Sequence, residues 1–267
     1  MKILIPVDFS ENSIKAFELA LSLNRNQKTT VILVHIVELI YDFASQAAIA
    51  LDSMHTDAKK LLDEIEKKYK SEHLKFEKIV EEGTASISIS RLASQYEVDV
   101  IVIGTSGAGG LKKLIMGSTT QNLLKESNVP VLVVPAKAPV FQIGKLTMAL
   151  QFSNHEKPML DRVIAFKNNW GLEINFLHVS KVRDFKDELA SLGLSTYLKD
   201  NFQLKTTSIT NIESDSTNAG INSYFEMNED SILVMCHQHK NFWEVFRERS
   251  HSLAMAYQST VPILVMN

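Results

Sequence analysis

Only one cysteine, Cys236, occurs in the 267 residues, so no disulfide can form within the chain and a reducing compartment is the expected setting. Long apolar runs are missing too. The opening Met1-Lys2-Ile3-Leu4-Ile5-Pro6-Val7-Asp8 is broken by Pro6 and Asp8 before it could serve as a signal core. No later stretch approaches the ~18–20 apolar residues that a membrane span needs. Charge excess is absent as well: the formal net charge is −3 and the pI about 6.3, which argues against a nucleic-acid binder built on a net basic domain. The expectation is a cytoplasmic protein with neither membrane nor nucleic acid as partner. Glycine is scarce, with ten in the chain, yet five of them crowd between Gly104 and Gly117.

What is present is an ordinary globular composition, 45% hydrophobic and 22% charged, in a chain long enough for two modest domains. Short β-branched apolar runs alternate with helical patterns. Lys2–Asp8, Thr29–Val37, Leu74–Glu81, Val98–Gly104 and Pro130–Val134 are expected strands. Between them Ile14, Phe17 and Leu21, then Ala58, Leu61, Leu62 and Ile65, then Ile87, Leu92 and Ala93, recur at helical spacing. Near-continuously apolar strands such as Val100-Ile101-Val102-Ile103 suit a parallel sheet covered on both faces, and strand–helix alternation suits βαβ units.

The second half repeats the first. Lys145–Ser153 matches Lys2–Ser10 at an offset of 143 (145−2), which also carries His35 onto His178. Val261-Pro262-Ile263-Leu264-Val265 matches Val129-Pro130-Val131-Leu132-Val133 at 132 (262−130), so about eleven residues (143−132) are lost, most simply opposite Glu38–Leu51. The reading is α/β: two tandem doubly wound, Rossmann-like domains, residues 1–137 and 143–267, each a five-stranded parallel sheet flanked by helices and joined near Pro135–Gln142.

In such sheets ligands sit at the carboxyl ends of the strands, where strand order reverses. The ends are Pro6-Val7-Asp8-Phe9-Ser10, His35-Ile36-Val37, the run from Gly104-Thr105 through Gly107 to Gly110, and Gly117-Ser118-Thr119-Thr120 at a helix start. Glycines let main-chain amides approach a phosphate, and Ser118 or Thr119 is a suitable N-cap at the positive end of a helix dipole. A flexible loop before a capped helix is the alternative. No Gly-Lys-Ser/Thr triplet and no Gly-x-Gly-x-x-Gly after the first strand is present.

Taken together, Gly104-x2-Gly107-x9-Gly117-Ser118, the opening Lys-Ile-Leu-Ile-Pro-Val-Asp-Phe-Ser and the closing Val-Pro-Val-Leu-Val-Val-Pro resemble the universal stress protein family, across the whole first half. The second half resembles a diverged copy, which makes a tandem member. The resemblance implies ATP as cofactor, with magnesium an open addition. It places Asp8 on the ribose or adenine side, Val7 and Ile36 beside the base, Gly104 and Gly107 around the phosphates, and Gly117, Ser118 and Thr119 at the helix start. Pro6 and Thr105 complete the implied set, and Lys112 and Lys113 add charge the motif does not require. In the second copy Asp8 becomes Gln151, Gly104 becomes Cys236, Gly107 becomes His239 and Gly117 becomes Arg249, while Ser118 keeps its type as Ser250. Nucleotide is therefore expected in the first domain only. The family's usual pairing through its last strand implies intramolecular pairing of the two domains, with a homodimer also open.

The remaining residues have plainer readings. His35 and His178 are expected as strand histidines bonded to backbone rather than general bases. Cys236, His237, His239 and His251 match no zinc spacing and read as filler of a decayed site. Phe242, Trp243 and Phe246 read as core. The apolar segment Glu38–Met54 reads as an inter-domain or oligomer contact. Lys59, Lys60, Lys67, Lys68 and Lys70, interleaved with acids, form a solvated helix face. No residue receives a catalytic or metal-binding role. The expected function is a nucleotide-responsive regulatory, stress-related protein, with a weak ATPase or phosphotransferase as the alternative.

Overall fold

The computed structural model describes residues 1–24, 27–38, 47–105, 117–139, 142–154, 156–204, 208–236 and 261–266, with the backbone alone for 47–50. The expectations for Gly107, Lys112, Lys113, His237, His239, Phe242, Trp243, Phe246, Arg249, Ser250 and His251, and for most of 38–54, lie outside the described residues.

The chain divides into two compact units, Met1–Ala136 and Lys137–Asn267. The first runs β1 (Lys2–Pro6), α1 (Glu11–Leu23), β2 (Thr29–Val37), α2 (Ala47–Tyr69), β3 (Leu74–Glu82), α3 (Ala85–Gln95), β4 (Val100–Gly104), α4 (Ser118–Glu126) and β5 (Val131–Val134). The second runs β6 (Lys145–Leu150), α5 (Lys157–Trp170), β7 (Glu173–Ser180), α6 (Phe185–Phe202), β8 (Ser208–Glu213), α7 (Thr217–Phe225), β9 (Ser231–Cys236) and β10 (Ile263–Met266).

Every pairing within a unit is parallel. The first unit orders its strands β3-β2-β1-β4-β5 and the second β8-β7-β6-β9-β10, the same order counted within each copy. Right-handed crossovers then send the helices after the first two strands to one face and the later ones to the other. The direction of winding reverses between β1 and β4 and between β6 and β9, and a crevice opens there at the strand tips. Ile3, Leu4 and Ile5 of β1 and Val100 and Ile101 of β4 have no exposed surface, as strands covered on both faces require.

The sheet register locates the missing residues. His35 pairs with Val80 in the first unit and His178 with Asn211 in the second, so the offset falls from 143 to 131 (211−80) between one strand and its neighbour. A net loss of twelve residues (143−131) thus lies between the second and third strands, and one residue is regained before the last strand, where the offset is 132.

Local sequence sets the helix ends. The Ser10 side chain accepts the Ser13 amide at the start of α1, and Asp184 and Asp187 form a reciprocal capping box on α6. Pro158 opens α5, and Gly171 closes it in the left-handed region at φ 66°. Two expected core positions are corrected: Ile87 is 59% exposed and Leu61 39%. Ile89, Leu92 and Ala93 carry the buried face of α3, and Ala58 and Leu62 that of α2. On α3 the buried stripe recruits Ser86 and Ser88 instead of Ile87, so small hydroxyls rather than bulk set how closely that helix sits.

Gly220 of α7 shows the closest helix–sheet approach. A Cβ there would stand 2.5 Å from Val179 Cγ1 of β7 and 3.2 Å from Ser214 Cβ. Alanine normally gains ~1 kcal/mol over glycine inside a helix, but overpacking costs ~1–3 kcal/mol. Gly220→Ala is expected to lower the unfolding temperature by a few degrees. Tryptophan emission measures this, because Trp170 and Trp243, the two tryptophans of the chain, both belong to the second unit.

Candidate functional site

At the carboxyl end of the first unit's sheet, the tip of β1 is held by its neighbours. The Val7 amide donates to the Val34 carbonyl at 2.8 Å, and His35 Nδ1 donates to the Val7 carbonyl at 2.7 Å. Both main-chain groups of Val7 are thus used, and its side chain is 2% exposed, so Val7 offers a ligand only surface contact. The His35 ring stacks on Phe9 at 4.8 Å, and Phe9 adopts the left-handed region at φ 63°. That conformation costs a bulky residue ~1–2 kcal/mol, and the ring stack helps offset it. His35 therefore serves the backbone, as the sequence reading expects.

Asp8 follows the tip. Its Oδ1 accepts the Ser10 amide at 3.1 Å and the Ser10 hydroxyl at 2.6 Å, and Ser10 in turn caps α1. Pro6, Asp8 and Ile36 are half-buried at the ends of β1 and β2, beside the crevice.

Across the crevice stands the end of β4. The Gly117 amide donates to the Thr105 carbonyl at 2.7 Å, and Thr120 Oγ1 donates to the Gly104 carbonyl at 3.0 Å. These two bonds pin the start of α4 to the tip of β4, so its first-turn amides, which no helix ladder consumes, stand at the sheet's carboxyl edge. The structure moves the N-cap from the expected Ser118 or Thr119 to Gly117, with no side-chain cap bond, and Ser118 becomes the first helical residue. A glycine there takes no polar side chain, and the Thr105 carbonyl anchors the turn instead.

The two described glycines of the motif differ in why they are glycine. A Cβ on Gly104 would stand 2.7 Å from Asn12 Nδ2 and 2.9 Å from the Asn12 carbonyl, so packing against α1 by itself demands glycine. Asn12 is buried and its Nδ2 reaches Thr105 Oγ1 at 3.5 Å. Gly117 is under no such pressure. Its φ of −58° suits any residue, and the nearest atom to an added Cβ is Thr105 O at 3.5 Å.

The second unit keeps the frame. His178 Nδ1 donates to the Leu150 carbonyl at 2.9 Å, and its ring stacks on Phe152 at 4.5 Å, with Phe152 at φ 54°. These are the offset-143 partners of His35, Val7 and Phe9. The occupants of the frame have changed. Cys236 stands at Gly104's place, its thiol pushed up to about 12 by burial and, after that, by the charge of Glu156. His178 Nε2 also lies 3.3 Å from Asp187 Oδ1, in ion-pair range although not aligned as a hydrogen bond. Burial opposes ionisation of Asp187, yet the Ser180 hydroxyl, the Asp184 amide and His178 together hold its carboxyl below the ordinary value of 3.8. None of these residues was singled out from sequence apart from His178, Gln151 and Cys236; Asp187 carried only the Asp-x-x-Asp spacing of a cap.

A recess of about 560 Å³ bounded by Lys2, Thr30, His73, Lys75 and Asp99 opens at the amino end of β1–β3, away from the crevice, and takes no part in the site. Among the described residues no helix is long and apolar enough to cross a membrane.

The histidine tie gives a stability prediction with a pH signature. His178→Ala is expected to destabilise the second unit by about 1–3 kcal/mol, through an unpaired buried carbonyl and a lost ring stack. Asp187 has a lowered folded value, so its contribution is complete above the unfolded value and disappears as pH falls through the folded one. Asp187→Asn should therefore weaken the protein at pH 6, and the difference should shrink as pH falls below the ordinary value of 3.8, with denaturant midpoints read by tryptophan emission.

Comparison with known proteins agrees with this geometry. The model of the universal stress protein family matches residues 1–135. The universal stress protein MJ0577 of Methanocaldococcus jannaschii is 27% identical over 157 residues, covering 51% of this chain and 95% of that protein. The universal stress protein Sll1654 of Synechocystis is 30% identical over 133 residues, covering 50% of this chain and 84% of its own. The crystal structure of a universal stress protein from Archaeoglobus fulgidus superposes with a TM-score of 0.74 at 21% identity, covering 99% of this chain and 95% of that one, a likeness of fold. With half its length matched by the family model over the unit that carries the pinned strand tips, the chain belongs to the universal stress protein family.

Proposed function

We propose that the first unit binds ATP in the crevice between the tips of β1 and β4, that the second unit binds none, and that the nucleotide state is read by a partner in a regulatory, stress-related role. The observation that carries this reading is the start of α4. It is pinned to the tip of β4 by two hydrogen bonds, and it begins at a glycine that packing among the described residues does not require. Absent side chains and unconsumed amides at the positive end of a helix suit a phosphate group. Here Gly117, Ser118 and Thr119 would hold phosphates together with Gly107, Asp8 would meet the ribose, and Ile36 and the surface of Val7 would flank the base.

Binding is favoured over phosphoryl transfer. Asp8 is the acid at this tip, and its Oδ1 already serves the Ser10 amide and hydroxyl. It is a brace of the β1–α1 turn rather than a group poised to orient water or a metal. At most slow hydrolysis is expected.

In the second unit the site residues carry side chains where the first has glycine: Cys236 for Gly104, His239 for Gly107 and Arg249 for Gly117. The side chains of His239 and Arg249 would fill the close approach that a phosphate needs.

Isothermal titration with ATP should give one site per chain. At ligand 100-fold above Kd the first unit should gain about 2.7 kcal/mol, a rise of several degrees in its unfolding temperature. Gly107→Val should abolish the shift and His239→Ala leave it intact. A flat titration, two sites per chain, or equal loss from both variants would overturn the reading.

A further inference from the structure

The two units share one strand-tip frame, but they supply its negative charge from different places. In the first, Asp8 Oδ1 accepts the Ser10 amide. In the second, Gln151 replaces Asp8 and cannot carry charge. Glu156, five residues on, reaches back instead: its Oε1 accepts the Gln151 amide at 2.6 Å and its Oε2 the Ser153 amide at 3.0 Å. Two oxygens are thus spent on the two amides that flank the left-handed Phe152, the concave amide arrangement that binds anions in many proteins. Glu156 is 8% exposed and sits at the N-cap of α5, at the positive end of its dipole, yet its side chain caps none of that helix's own amides.

Its location is the crevice. The loop follows β6, and β6 borders β9 at the reversal of winding. The Glu156 carboxylate is fixed on the amides of Gln151 and Ser153, the residues that directly follow the tip of β6. The residue at the matching place in the first unit is Ser13 (156−143), whose hydroxyl donates to the Ser10 carbonyl and carries no charge.

We infer that Glu156 is a tethered anion that fills, from within the chain, the anion-binding loop of the second unit, so that this loop is closed to small external anions and set without any ligand. The inference is read from the second unit alone and does not depend on ATP binding by the first.

The test is the full-length Glu156→Ala variant, with unfolding followed by tryptophan emission, which reports the second unit. Its thermal midpoint should fall by several degrees. Sodium formate or acetate should restore at least half of that fall by entering the vacated loop, where sodium chloride at equal ionic strength does not. Wild type should respond alike to all three salts. Glu156→Gln keeps the volume and loses the charge, so it should also melt lower but gain nothing from formate. If Glu156→Ala does not fold, the Glu156→Gln midpoint decides: lowered supports the tethered anion, unchanged overturns it. An alanine variant as stable as wild type, or a formate shift equal in wild type and variant, would also overturn it.

Discussion

One hydrogen bond governs the working end of each unit: a histidine on the second strand donates Nδ1 to the last carbonyl of the first strand, at 2.7 Å from His35 and 2.9 Å from His178. A strand-tip carbonyl beyond the ladder has no regular partner, and leaving it buried and unpaired would cost about 1–3 kcal/mol. An imidazole supplies the donor and also a flat face. Phe9 and Phe152 fold back onto that face in the left-handed region, which turns the chain sharply from strand into helix. The turn decides where the next amides point, and those amides meet whatever anion is present. In the first unit that is the Asp8 carboxylate, and in the second it is Glu156. The frame does not depend on the glycine motif, since it stands complete in a copy where Cys236 takes the place of Gly104.

Much of this was legible from residue order. Strand runs of Val, Ile and Leu announced a sheet buried on both faces, and all five of the first unit's strands begin and end within two residues of their expected bounds because turn-forming and charged residues bracket them. The recurrence of His35 as His178 at one offset signalled a shared structural duty, and the backbone bond is that duty. The offset change predicted a deletion, most simply opposite Glu38–Leu51, and the register shows it lies between the second and third strands without fixing it more closely. What sequence did not reveal depends on contacts between distant residues. Ile87 fits a helical stripe on paper, but the serines beside it allow α3 a closer seat and leave Ile87 in water. Ser118 looked like a cap, yet the helix start is anchored by the Thr105 carbonyl just beyond β4, which accepts the Gly117 amide from twelve residues on (117−105). Glu156 gave no signal at all, because a glutamate near a helix start is commonplace and only its reach back to Gln151 and Ser153 sets it apart.

The glycines show why a motif and a mechanism are different things. Gly104 belongs to the pattern that marks the family, but its Cα abuts Asn12 so closely that the fold alone would select glycine. Its presence therefore says little about phosphate. Gly117 is the more telling residue, since neither φ nor packing within the described chain asks for it. A position where glycine is costly to the unfolded-state entropy and unneeded by the fold is one where something outside the chain is the better explanation. The weight of the nucleotide reading thus rests on the start of α4 rather than on the glycine cluster as a whole.

The same reasoning orders the two copies. A loop whose amides must wait for an external anion is less stable when empty, and it gains when the anion arrives, by RT ln(1 + [L]/Kd). A loop whose anion is attached to the chain gains that stabilisation at every ligand concentration and cannot report it. Glu156 lies three residues from the Ser153 amide it meets, so its carboxylate reaches the loop as an intramolecular partner. Under the reading proposed above, in which ATP is held by the first unit alone, any difference a partner senses between the liganded and free chain would originate in the first unit.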